Sequence, residues 1–188
     1  MKRVFWLAVF AALVAVLVAL PAGVSNHFLG AHVLGESMLP SLLHGDRVIV
    51  DRYFSFREPR LGDVVLIYDT VSPTELLIKR IIGVPGDRIF LKDHDIFVNC
   101  RPGDAGCAPI DEPWAYHDPR VPRHDDRGPI RVPRECYWVM GDNRNLSADS
   151  RTFGVVPRAS IIGRVVLIYW SYGAADGIRW TRLGRFAP

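Results

Sequence analysis

Gly-Asp pairs at 45–46, 62–63, 86–87 and 141–142 cut this chain into short β-branched runs, and no other feature restricts its fold as much. The runs at 47–50, 63–68, 75–84, 88–91, 96–98, 137–140 and 161–170 are rich in Val, Ile, Leu and aromatic residues, and they read as strands. Past the N-terminal stretch no segment sustains a helical period. The pattern predicts a mostly β domain with strongly bent sheets.

The N-terminal stretch is of another kind. Met1-Lys2-Arg3 precedes an unbroken apolar run from Val4 to Leu20, extended by Pro21 to Val24, and no charged residue occurs between Val4 and Gly35. A spanning helix needs roughly 17 to 25 apolar residues, so residues 1–24 are expected to form a single transmembrane anchor. The two cations then hold the N-terminus on the cytoplasmic side and place residues 25–188 outside. A cleaved leader is the competing reading, with Leu20-Pro21-Ala22 as its cleavage region, although leader cores run only about 7 to 15 residues. Residues 25–31 read as a linker near the bilayer surface. The apolar content of 49% is inflated by this stretch, and a net charge of +3 is too small to point to nucleic acid.

Seven prolines interrupt a polar stretch at about 92–134, which reads as an inserted excursion whose purpose its residues do not reveal. Two of the three cysteines, Cys100 and Cys107, lie in it. An exported domain tolerates disulfides, so a Cys100–Cys107 bridge is the favoured pairing and Cys136 is expected to be free and buried; three unpaired thiols are the alternative. The spacing matches no common zinc pattern.

Chemistry enters with Ser37, in Gly35-Glu36-Ser37-Met38-Leu39-Pro40, and Lys79, among Ile78, Ile81 and Ile82. A serine hydroxyl needs a base to become a nucleophile, and a lysine serves only when its amine is neutral. Burial among branched apolar residues would provide that. Taken singly, Ser37 also reads as a turn residue and Lys79 as a charge discouraging strand-edge pairing. A third cluster, Ser147, Asp149, Ser150 and Arg151, follows Gly141-Asp142-Asn143-Arg144 and gathers hydroxyls, a carboxylate and a guanidinium.

In order, Gly-x-Ser-Met-x-Pro, Gly62-Asp63-Val64-Val65, Lys79-Arg80-Ile81-Ile82-Gly83-Val84-Pro85-Gly86-Asp87 and Gly141-Asp142-Asn143-Arg144 with Ser147-x-Asp149-Ser150-Arg151 span nearly the whole exported part. Behind one apolar anchor, this series resembles the bacterial type I signal peptidases, the Ser/Lys leader peptidases. The resemblance implies a bent β-sheet or barrel domain behind one transmembrane helix. It also implies an inner-membrane, single-pass endopeptidase whose catalytic domain lies on the extracytoplasmic face and releases exported precursor proteins from their signal peptides. No metal or organic cofactor is implied, and the partners are precursors and the lipid bilayer, not nucleic acid.

By the same resemblance Ser37 is the nucleophile and Lys79 the general base. Ser147 orients the lysine amine, Asp149 and Arg151 form an ion pair behind the site, and Arg80 supports it. The Ser37 backbone N–H is the first oxyanion donor. Some members add a serine hydroxyl two positions earlier, where this chain has Gly35, which leaves the second donor open. Members usually carry Asp-Asn-Ser where this chain has Asn145-Leu146-Ser147. Substrate pockets in the family accept small side chains, and Val33, Leu34, Met38, Leu42, Leu77 and Ile78 are candidate walls, with core packing as their other use.

Three further readings stay open. His27, His32 and His44 lie near Ser37 in sequence and leave room for a Ser-His-Asp site, though none has a recognisable triad setting. Trp170, Tyr172 and Trp180 suit either bilayer anchoring or the core. The same scaffold could also serve a dedicated processing enzyme for one substrate, or an inactive binding domain.

Overall fold

The computed structural model describes residues 27–185 apart from 73, 119 and 121–125, so the expected anchor lies outside the described residues. Among the described residues no helix is long and apolar enough to cross a membrane.

The molecule is mostly β, as its punctuation predicts. In chain order the strands are β1 (Phe28–His32), β2 (Asp46–Asp51), β3 (Val64–Tyr68), β4 (Leu76–Gly83), β5 (Arg88–Lys92), β6 (Asp95–Val98), β7 (Arg127–Arg131), β8 (Cys136–Met140), β9 (Val156–Pro157), β10 (Ile161–Gly173) and β11 (Gly177–Ile178). The main sheet runs β1-β2-β10-β3-β4-β8-β9, with β11 paired to the end of β10, and β6-β5-β7 form a second, three-stranded sheet. All pairs between these strands are antiparallel. Because β1 and β9 end the path unpaired to each other, the main sheet is open and not a closed barrel.

Register slips run through this sheet: β10 slips against β2 between Val165 and Leu167 and again between Ile168 and Trp170, and shifts also occur between β10 and β3 and between β4 and β8. Each slip adds an unpaired residue that bends the strand and tightens its twist. Strand β3 shows why an unbroken apolar run was needed. Val64 and Leu66 enter one core with Val33, Met38, Leu42, Val48, Val50, Val165 and Ile168. Val65 and Ile67 enter another with Ile81, Tyr137 and Val139. Both faces of the strand are covered, so simple alternation would have failed here. A third core of Ile82, Ile89, Leu91, Ile96, Val132, Trp138 and Met140 spans the two sheets.

Several expectations change. Residues 28–31, read as part of a linker, form β1 together with His32, and this strand pairs with β2 from Phe28↔Asp51 to His32↔Arg47. Its residues Phe28-Leu29-Gly30-Ala31-His32 lack β-branching, and pairing with the already buried β2 supplies the order that their own propensity does not. Strand β7 was hidden by Gly128 and Pro129, which its position at a sheet edge tolerates. The Cys100–Cys107 disulfide is formed, while Cys136 is free and only half-buried, since it starts β8 beside the short edge strand β9. Tyr172 and Trp180 are exposed rather than in the core.

Candidate active site

Ser37 rides on a loop closed at its base by two hydrogen bonds, Val33 N–H to Asp46 O at 2.8 Å and Gly45 N–H to Val33 O at 3.0 Å. Met38 and Leu42 anchor the loop in the first core. Gly35 has φ +88°, a conformation that side-chain-bearing residues rarely adopt, and its N–H donates to His44 Nδ1 at 3.1 Å. The position two before Ser37 thus holds a residue that makes this turn and carries no side-chain hydroxyl. The Ser37 carbonyl is fixed from behind by the Asn143 N–H at 3.0 Å. The Ser37 N–H donates to no group among the described residues.

Lys79 stands on β4 opposite Val65 of β3, and only 3% of it is exposed. Its Nζ lies 2.8 Å from Ser37 Oγ, within proton-transfer reach. Burial depresses the amine below the ordinary lysine range. Asp149 and Asp142 pull the other way, Arg151 adds to the depression, and Asp69 opposes it. The arrangement therefore pairs a hydroxyl with an amine that loses its proton more readily than an exposed lysine does.

Behind the pair lies a lattice of charges that are buried or nearly so. Arg80, next to Lys79 but on the opposite side of the strand, forks onto Asp142 at 2.7 and 2.6 Å, reaches Gly62 O and Ser41 Oγ, and lies 4.5 Å above the Trp114 ring. Asp149 caps a single helical turn, α1 (Ser150–Phe153), and takes both Arg151 Nε and Nη2 at 2.8 Å. Burial pushes the Asp149 carboxyl up, yet the Arg151 bonds and charge, the Gly141 N–H and the Ser147 hydroxyl together hold it below its usual range. Ser150 Oγ accepts the Val139 N–H, tying α1 to β8.

Ser147 departs from expectation. Its Oγ is buried without a well-formed hydrogen bond and does not reach the Lys79 amine. Its remaining polar influence falls on Asp149. Ser147 is seated against Gly141, where a Cβ would lie 2.3 Å from Ser147 Oγ and 2.5 Å from Ser37 O. Gly141 is therefore the spacer that lets these two serines approach. Gly141→Ala should displace both, costing about 1–3 kcal/mol of stability and slowing turnover about 100-fold. Thermal melts and turnover assays check this, and wild-type turnover would refute the spacer role.

Five of the six expected pocket residues, Val33, Leu34, Met38, Leu77 and Ile78, line a groove of about 550 Å³ that ends at Ser37 and Lys79. Leu42 does not; it is fully buried in the core beneath the loop. Leu29 and Ala31 complete the wall from β1, missed because that strand was read as linker. The groove runs between two unpaired strand edges. Among the described residues β1 pairs on one side only, and residues 76–79 of β4 pair with β3 but not with β8, whose ladder starts at Arg80. An extended peptide can add to such edges.

The excursion also gains a place. Trp114 covers Arg80, Glu112 forms a buried ion pair with Arg144, and Tyr116 bonds Asp142 O and the Arg144 N–H. Asn145 accepts the Asp118 N–H at 2.8 Å and Leu146 is exposed, so the departure at 145–146 is absorbed by this strap. Nothing in the Pro-rich sequence signalled those contacts. No histidine reaches Ser37 Oγ among the described residues, and none of those residues forms a metal-ligand cluster.

The family model described as signal peptidase, peptidase S26, matches residues 2–170. The chain belongs to that family. Signal peptidase I of Leptolyngbya laminosa is 34% identical over 167 residues, covering 84% of this chain and 72% of the relative. Signal peptidase I P of Bacillus subtilis subsp. natto is 35% identical over 140 residues, covering 73% and 75%. A crystal structure of a signal peptidase I from Enterococcus faecalis V583 aligns with a TM-score of 0.45 at 24% identity, over 57% of this chain and 97% of that one. The family resemblance read from the four motif blocks thus holds, and the chain is a peptidase of the signal peptidase I kind.

Proposed function

We propose that this peptidase is a membrane-anchored endopeptidase that removes signal peptides from exported precursors, with Ser37 as nucleophile and Lys79 as general base. The 2.8 Å approach of Lys79 Nζ to Ser37 Oγ, inside an apolar wall, carries the reading. The precursor lies extended along the groove, with small side chains against Leu77, Ile78 and Leu29 and the scissile carbonyl at Ser37. Ser37 Oγ attacks the carbonyl carbon as its proton passes to the Lys79 amine. The oxyanion is met first by the Ser37 N–H. Collapse breaks the C–N bond, and the Lys79 ammonium returns its proton to the departing amine. The signal peptide is left esterified to Ser37. Lys79 then takes a proton from water, whose attack on the ester frees the serine.

Residues 1–24 anchor the enzyme in the inner membrane with the N-terminus cytoplasmic, and residues 25–188 form the extracytoplasmic peptidase domain. This geometry brings the groove to a scissile bond held near the bilayer. Asp149, Arg151 and Arg80 act as structural support, and Ser147 acts on Lys79 only indirectly, through Asp149. A serine-directed covalent probe should label the wild type and not Ser37→Ala. Equal labelling of both would sink the assignment.

A further inference from the structure

We propose that Arg182, in the C-terminal tail, is a positioning residue for the nucleophile loop. The tail lies beyond residues 2–170, where the family match ends. It returns along β10, with Gly184 N–H bonding Ile168 O and Ile168 N–H bonding Arg185 O. This places a short 3-10 turn, Trp180–Arg182, beneath the loop that carries Ser37.

Arg182 joins two points of that loop. Its Nε and Nη2 reach the Asp46 carboxylate at 3.2 and 2.6 Å, while Nη2 also donates to Ser41 O at 2.9 Å. Asp46 is fully buried at the loop's base, where it further accepts from the Ser171 hydroxyl and the Leu43 N–H. Arg179 adds a bond to His44 O. Ser41 is the convergence point, because its hydroxyl also accepts from Arg80, the residue after Lys79. A line of contacts thus runs from the tail through Ser41 to the strand that holds the base. It fixes how far the Ser37 loop stands from Lys79. Arg182 itself lines no part of the substrate groove.

The inference rests on Ser37 and Lys79 being the catalytic pair. Its test uses the full-length enzyme cleaving a signal-peptide-bearing precursor. Arg182→Lys keeps a charge beside Asp46 but loses the planar fork that spans to Ser41 O. Its kcat should fall about tenfold with KM within about twofold, because a small misplacement of reacting atoms costs rate without touching the groove. Asp46→Asn with Arg182→Gln leaves no unpaired buried charge, so it guards against simple unfolding and should be slowed similarly. Arg185→Ala removes the same charge from the exposed tail and should match the wild type. Wild-type kcat in both Arg182 variants would overturn the proposal. So would a deficit that disappears when the assay is run well below each variant's melting temperature. If Ser37→Ala still cleaves, the catalytic pair is wrong; if it is dead while the Arg182 variants keep wild-type kcat, only the positioning role fails.

Discussion

Lys79→Met should reduce precursor cleavage by at least about 10⁴-fold, the upper range for losing a positioned general base, while leaving the fold intact. Methionine matches the length of the buried stem and needs no solvation of a charge. The wild-type rate should rise with pH as the Lys79 amine loses its proton. Because burial lowers that group, the midpoint of the rise should lie below the roughly 10.4 of a free lysine. Stability follows the same group with a defined sign. Between the depressed folded value and the unfolded one, the unfolded chain holds a proton that the folded chain lacks, so unfolding free energy climbs with pH across that window. Lys79→Met should remove this slope and melt no lower than the wild type at neutral pH. Denaturant melts across pH and single-turnover cleavage read the two effects. An active Lys79→Met enzyme would remove lysine from the mechanism.

Asp142→Ala should be the most destabilising single change near the site. It strips Arg80, which is wholly buried, of both carboxylate bonds, and breaking one side of such a pair costs about 3–5 kcal/mol. Arginine cannot escape by shedding its proton as lysine does. For a chain of this size that corresponds to a melting point lower by about 10 °C. Activity should fall with it, since Asp142 and Asn143 carry the backbone that holds Ser37 O. Asp142→Leu combined with Arg80→Met removes both charges and should regain most of the stability, but not the contact to Ser41. A double mutant as unstable as Asp142→Ala would show that packing, and not the unpaired charge, sets the loss.

Much of this site was legible because its signals are local. Gly-Asp turns sit where the chain reverses, and the expected strands follow between them. Ser37 and Lys79 stood out through their immediate neighbours, a turn glycine on one side and branched apolar residues on the other. Asp149 and Arg151 are two residues apart, so their pairing needed little more than one helical turn. β1 was invisible for the opposite reason. Its residues become a strand only by pairing with β2, and the Leu29 and Ala31 part of the groove wall was lost with it.

The tertiary structure decided what depends on distance between remote segments. Ser37 meets Lys79 across 42 positions, and Arg80 meets Asp142 across 62. Only the packed sheets show that Leu42 is core, that Ser147 packs against Gly141 beside Ser37 O, and that Trp114 and Glu112 support the site. The sequence by itself determined the strand pattern, the candidate serine and lysine, and the family, because each rests on short runs of neighbours. Burial of the lysine, the fit of the serine loop and the grip of the tail were settled by packing, since desolvation and hydrogen-bond geometry exist only once distant segments close around them.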